Sequence, residues 1–173
     1  DLYRIGNITK EFLRNQRFQL ALKKFNINKP DLAEKLGDYY VEKSPYKTRL
    51  FPHTIDTLEY LKKKYQLHII TNGFEEVQYI KMKHSGLDKY FQQIVTSEQA
   101  GAKKPTKEIF EYSLNTAQAK AHESIMIGDD LAVDIIGAQN AGVDQVYFNY
   151  FNEEHHEKPT YEISSLDVLQ DIL

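Results

Sequence analysis

The stretch Ser124-Ile125-Met126-Ile127-Gly128-Asp129-Asp130-Leu131-Ala132-Val133-Asp134 constrains this chain more than any other. Its short apolar run has the pattern of a strand buried on both faces in a parallel sheet. Gly128 permits a sharp exit, and two carboxylates follow at once. Asp134 then falls near the first turn of a helix continuing through Ile135-Ile136-Gly137-Ala138-Gln139-Asn140-Ala141, with Gly142 as a left-handed stop. Three carboxylates therefore gather outside the carboxyl end of a strand, where open α/β sheets place their ligands. At ~5 Å and an effective dielectric of ~20, each pair repels by roughly 3 kcal/mol. A bound cation relieves that repulsion, and an all-oxygen donor set suits Mg²⁺. On this segment alone a second reading stands beside it: Asp130 caps the helix and Asp134 merely favours its positive end.

Such a site needs a domain around it, and 173 residues suffice for one domain plus a small appendage. The apolar share of 41% and charged share of 27% are those of a water-soluble globular chain, and a net charge of −3 argues against a nucleic-acid partner. Without cysteine there is no disulfide and no thiolate metal site, which fits a cytoplasmic location. No apolar run reaches membrane-spanning length, and Asp1-Leu2-Tyr3-Arg4 has the form of neither a signal nor a transit peptide.

Along the chain, residues 1–47 read as helical. Thr9 is a candidate N-cap, and Phe18, Ala21, Leu22 and Phe25 form an apolar stripe at helical spacing. Asn26-Ile27-Asn28-Lys29 breaks that helix and Pro30 opens a second, expected to bury Leu32, Leu36, Tyr39 and Tyr40. Residues 48–173 then alternate in the manner of an α/β domain. The spacing predicts helices from about Thr54 to Lys64, Glu75 to Ser85 (stopped by Gly86), Thr106 to Thr116 and Ser165 to Leu173. It predicts strands at Leu67–Thr71, Ile94–Thr96, the Ser124 segment and Gln145–Phe148, with a remnant at Tyr161–Ile163.

Two further segments bear on the site. The strand ending at Thr71-Asn72-Gly73 opens a helix, and a hydroxyl followed by helix N-terminal N–H groups makes an anion receptor; the same tripeptide also reads as an ordinary Asn-Gly turn. In Ser97-Glu98-Gln99-Ala100-Gly101-Ala102-Lys103-Lys104-Pro105, the proline stiffens Lys104, which could neutralise a phosphoryl group or crowded aspartates. Lys103 reads as solvated. His155-His156, Arg14 and Arg17 are left out of the site, and the aromatic load reads as core and cap packing.

Thr71-Asn72-Gly73, Lys104-Pro105 and Gly128-Asp129-Asp130 with Asp134, in that order, resemble the haloacid dehalogenase superfamily, and the likeness covers nearly the whole chain. The helices before Pro45 resemble the second half of an inserted helical cap, as in the pyrimidine 5′-nucleotidase and phosphoglycolate-phosphatase-like branch. The run Thr9-Lys10-Glu11 to Arg17-Phe18 and Leu50-Phe51-Pro52-His53 point to the nucleotidase side. The resemblance implies a doubly wound, parallel-sheet, Rossmann-like α/β core with a partial cap. It also implies a Mg²⁺-dependent phosphatase of small phosphomonoesters, such as nucleoside monophosphates, that works through an aspartyl-phosphate. In it the Thr71 hydroxyl and the Asn72 backbone N–H would hold a phosphoryl oxygen and Lys104 would balance charge. Asp129 would bind the metal, Asp134 directly or through water, and Asp130 would only support them.

The family's first motif, an Asp-x-Asp on the central strand, has no match ahead of Thr71. The resemblance therefore implies that this strand and the first half of the cap lie outside the residues given, and that these residues alone are inactive. It leaves the Leu67 and Ser124 strands facing across an unfilled position, to be closed by rearranged pairing, strand exchange or self-association, or further residues. Three rivals stand beside it. A response-regulator receiver would place its aspartates ahead of the threonine. A true haloacid dehalogenase would not need Gly128-Asp129-Asp130, and a non-catalytic scaffold of the same fold would need no first motif.

Overall fold

The structure of the protein, a computed structural model, describes residues 8–173, without the side chains at 10, 11, 14 and 15. Asp1-Leu2-Tyr3-Arg4 and the Arg14 side chain lie outside the described residues. The chain divides into two compact units, Asp1–Thr48 and Arg49–Leu173.

The first unit is a helical hairpin. Helix α1 (Lys10–Lys24) begins at Thr9, whose hydroxyl accepts the Phe12 N–H at 3.1 Å. It ends where the Asn26 and Ile27 N–H groups turn back onto the Lys23 and Leu22 carbonyls, with Asn26 left-handed at φ 59°. Helix α2 (Pro30–Lys43) has Pro30 in its first turn. The expected burial of its large residues is corrected here: Leu32, Tyr39 and Tyr40 are exposed and Leu36 is half-buried, while Ala33 and Gly37 are buried. Ala33 and Gly37, one helical turn apart, leave room for close approach of a neighbouring backbone, while Tyr40 meets α1 through the Phe18 ring at 5.7 Å and the Arg17 guanidinium at 4.9 Å. Phe25, expected in the α1 stripe, is likewise exposed.

The second unit is α/β. Strands β1 (His68–Thr71) and β2 (Gln93–Thr96) pair in parallel with Thr71 opposite Thr96. Strands β3 (Ile125–Gly128), β4 (Asp144–Phe148) and β5 (Tyr161–Ile163) form a second parallel set in that order. Among the described residues no ladder joins β1 to β3, so the pairing has not rearranged to bring these strands together. Helices α3 (Thr54–Leu61), α4 (Glu75–Ser85), α5 (Ser97–Ala100), α6 (Lys107–Ala117), α7 (Ile136–Asn140) and α8 (Leu169–Ile172) complete the unit.

Side-chain alternation along β3 divides the core. Ile125 and Ile127 join Leu61, Val146, Phe148, Ile163 and Leu169 on one face, whereas Met126 joins Val95, Ile109, Phe110, Ala138 and Val143 on the other. Both clusters also take residues from the β1 region, Leu67 in the first and Ile70 in the second. Packing therefore spans the two strand sets where hydrogen bonds do not. Each fully buried Ile, Val or Phe contributes about 1.5–3 kcal/mol of transfer free energy.

Several elements differ from expectation. The helix after Thr54 stops at Leu61, and the C-terminal helix is a 3-10 turn (Leu166–Val168) followed by α8. Helix α5, absent from the helices the spacing predicts, carries its own signature: Thr96 and Gln99 exchange side-chain and backbone hydrogen bonds in a capping box.

Candidate active site

The site lies at the carboxyl ends of β1, β2 and β3, and a buried lysine joins its parts. Asn72, the first residue past β1, clamps the Lys104 peptide from both sides. Its Oδ1 accepts the Lys104 N–H at 2.8 Å, and its Nδ2 donates to the Lys104 carbonyl at 2.9 Å. The Lys104 side chain, 10% exposed, ends at Asp134, 7% exposed, with Nζ 2.6 Å from Oδ1. Pro105, in a cis peptide with Lys104, packs under α7. A Cβ on Gly137 would come within 3.0 Å of the Pro105 Cα and 2.9 Å of the Phe110 ring, so only glycine lets helix and loop meet there.

Asp134 owes its place to the start of that helix. Asp130, at the N-cap, accepts the Val133 N–H at 3.1 Å, and a π-helical turn (Leu131–Ile135) follows before α7. Asp134 backs onto the end of β3 so closely that a Cβ on Gly128 would lie 2.4 Å from its own Cβ. Its second oxygen, Oδ2, accepts the Asp130 N–H at 3.3 Å. Gly128 is therefore more than a sharp exit: the approach of Asp134 requires it.

Of the residues singled out in the sequence, Asn72, Lys104 and Asp134 are joined by hydrogen bonds, and Thr71 precedes Asn72 at the end of β1. The Thr71 hydroxyl accepts the Gly73 N–H at 3.0 Å, the turn reading of this tripeptide, and keeps its own proton to donate. Asp129 is exposed at the end of β3 and accepts no hydrogen bond among the described residues. Asp130 does what the capping reading gave it. Lys103, read as solvated, is half-buried.

Sequence reasoning missed the Asn72 side chain, to which it had assigned only a backbone N–H. It also missed Glu98, which accepts the Glu75 N–H at 3.4 Å at the start of α4. The Ser97 hydroxyl is buried without a hydrogen-bond partner among the described residues. No sequence signal marks that last feature. Burial first, then the carboxylates Glu153, Glu162, Asp129 and Asp130, push the Tyr147 phenol above its ordinary value, so negative charge converges on the ends of β3 and β4.

The donor set can be tested against Mg²⁺ directly. No group of three or more His, Cys, Asp or Glu side chains comes together as a metal cage among the described residues. Mg²⁺ needs none, since it keeps several waters and binds through one or two carboxylates plus substrate phosphate. Asp129 has the unengaged carboxylate for a direct bond. Asp134, with Oδ1 on Lys104 and Oδ2 on a backbone N–H, suits contact through water.

Residues 4–148 match the family described as haloacid dehalogenase-like hydrolase. The chain belongs to that family. Among haloacid dehalogenase-like relatives, the pyrimidine 5′-nucleotidase YjjG of Escherichia coli K12 is 31% identical over 99% of this chain and 76% of its own. The pyrimidine 5′-nucleotidase PynA of Streptococcus pneumoniae R6 is 33% identical, over 98% of this chain and 72% of its own. The solved structure of the HAD-hydrolase YfnB of Bacillus subtilis, bound to magnesium, superposes with a TM-score of 0.88 at 32% identity, covering 99% of this chain and 75% of that one. The α/β core with parallel strands expected from the sequence is thus the fold of this hydrolase family.

Proposed function

We propose that the protein is a Mg²⁺-dependent phosphatase of small phosphomonoesters, nucleoside monophosphates or similar, working through an aspartyl-phosphate. The continuous chain of contacts from Asn72 through Lys104 to Asp134 carries this reading. It holds one buried cation against Asp134, at the start of the helix that follows β3, and ties its backbone to the residue after Thr71. The names of the relatives support the substrate class, and the magnesium-bound relative supports the metal.

The Thr71 hydroxyl and the N–H groups that open α4 would receive phosphoryl oxygens. Lys104, held by Asn72 on its backbone and by Asp134 on its ammonium, would meet developing negative charge without reorganising. Asp129, with Asp134 behind a water, would hold the metal, which when bound supplies Lewis-acid stabilisation of the transferring group. The nucleophilic and acid–base aspartates would enter on a strand between β1 and β3. It would come from further residues; residues 1–173 alone, with that position closed only by strand exchange or self-association, would be inactive. Residues 1–47 would be the second half of a helical cap, and residues 48–173 the core. No helix among the described residues is long and apolar enough to cross a membrane; we propose a cytoplasmic location.

The test expresses the chain from an upstream start that adds an Asp-x-Asp strand and compares it with residues 1–173. Phosphate release from nucleoside monophosphates should need Mg²⁺ and the longer protein, and should fall about 10²–10³-fold in Lys104→Met. Release by residues 1–173 alone, or none from the longer protein, refutes the assignment.

A further inference from the structure

Just past β4 the chain makes a turn that is tightly built yet buries little at its tip. Asn149, buried, is its anchor. The Asn149 side chain donates to the Glu153 carbonyl at 3.0 Å and to Glu162 Oε1 at 2.7 Å, and accepts the Glu153 N–H at 2.8 Å. Its backbone N–H donates to the Ile163 carbonyl at 2.8 Å, and Asn152 closes the turn in the left-handed region at φ 52°. The His155 ring sits 3.1 Å from Glu162 and edge-on to Tyr147, fixing the far side of the loop.

What this frame holds out to solvent is aromatic. Phe151 is 76% exposed and Tyr150 42%. Tyr150 meets Phe151 edge-to-face at 5.1 Å, and Phe51, itself 46% exposed, meets Tyr150 at 4.9 Å and the buried Phe148 at 5.3 Å. Four rings in one connected cluster, three of them open to water, are not the scatter of single apolar residues that any surface carries. Loop tips held rigidly without a packing role of their own are where binding residues sit.

The location narrows the occupant. Tyr147 pairs in register with Gly128, so the turn begins level with Asp129 and Asp130, at the same end of the strands as Thr71 and Lys104. Phe148 belongs to the core face shared with Leu61 and Leu169, whereas the Pro105 loop packs with Phe110 on the opposite face. A ligand whose anionic end reaches Lys104 must extend across the strand ends to touch the rings. Such a ligand carries negative charge at one end and a flat apolar face at the other.

We propose that Phe51, Tyr150 and Phe151 form a stacking platform that selects phosphomonoesters whose leaving group bears a planar nucleobase. The proposal rests on the phosphatase reading for the anionic end only; the platform takes the base by itself. Base–aromatic stacking is indifferent to which base is offered, so the platform sorts nucleotides from sugar phosphates rather than one base from another.

The test uses residues 1–173 with assigned aromatic and backbone NMR resonances. It titrates uridine 5′-monophosphate, uridine, ribose 5-phosphate and inorganic phosphate, and sedimentation is run in parallel. Uridine should shift the Phe51, Tyr150 and Phe151 rings, and inorganic phosphate should shift Thr71 and Lys104. The nucleotide should bind at least about fivefold tighter than ribose 5-phosphate. Tyr150→Ala and Phe151→Ala, at exposed positions, should abolish that ratio and leave ribose 5-phosphate affinity unchanged. If inorganic phosphate and ribose 5-phosphate fail to bind while uridine still moves the rings, the assignment of Thr71 and Lys104 as the phosphoryl receptor fails and the platform stands. Equal binding of nucleotide and sugar phosphate by the unaltered protein overturns the proposal. A ratio that survives both variants does the same, as does a loss of self-association in the variants with no ring shift by uridine.

Discussion

Removing both members of the Lys104–Asp134 pair should harm the protein less than removing either one. At 2.6 Å and an effective dielectric of ~20, the gross attraction is about 6 kcal/mol. Desolvation of the two ions costs several kcal/mol each, so against a well-packed apolar pair the net is close to zero. A single replacement keeps one desolvation cost and loses the whole attraction. Lys104→Met or Asp134→Leu should therefore cost about 3–5 kcal/mol, or roughly 6–20 °C in Tm for a chain of this size. The double variant should cost less than either single, leaving chiefly the lost acceptor for the Asp130 N–H. Urea unfolding of all four proteins, followed by circular dichroism, closes the cycle. Single variants that lose less than ~1 kcal/mol would mean the pair behaves as an exposed one. A double variant equal to the sum of the singles would mean the two charges are not coupled. Either result refutes the description of a buried, mutually dependent pair.

Gly128→Ala places a methyl group against Asp134 and should destabilise by about 1–3 kcal/mol, read by thermal melting, with the Lys104–Asp134 contact lengthened in a crystal structure; a variant as stable as the parent refutes the close approach. Asn72→Ala removes both hydrogen bonds to the Lys104 peptide and should cost about 1–3 kcal/mol. Hydrogen exchange should show the Lys104 amide losing protection first, and an unchanged rate there counts against the clamp. Burial lowers the His68 pKa below its ordinary 6.5, so the folded chain takes up its proton at lower pH than the unfolded one. Stability from this group is complete above about pH 6.5 and is lost as pH falls from there through the folded value. His68→Leu should flatten the decline in stability between roughly pH 7 and 5, and an identical slope in the variant would remove His68 as its cause.

Much of the second unit was legible because its signals are local. Apolar runs of strand length, the left-handed stops at Gly86 and Gly142, and Pro30 at a helix start each act within a few residues. The Lys104–Asp134 contact was legible only through the ordered set of segments, since each segment alone also reads as a turn, a solvated lysine or a cap. What escaped depends on separations in space. The Asn72 clamp joins residues 32 positions apart, and no period or spacing announces it. Burial in α2 went to Ala33 and Gly37 because a two-helix hairpin cannot enclose several large side chains, a limit of volume rather than of pattern. The turn after β4 is polar in composition, which announces no rigidity; that comes from one buried asparagine.

The two strand sets of the second unit are laced together by side chains alone. β4 has a neighbour on each flank, whereas the inner rims of β1 and β3 have none among the described residues. Amides along those rims should therefore trade protons with solvent faster than those of β4, making them the seam along which this body breathes. Anything that settles into the seam would be recorded twice, by β1 and β3 slowing in step, before any change in chemistry could be measured.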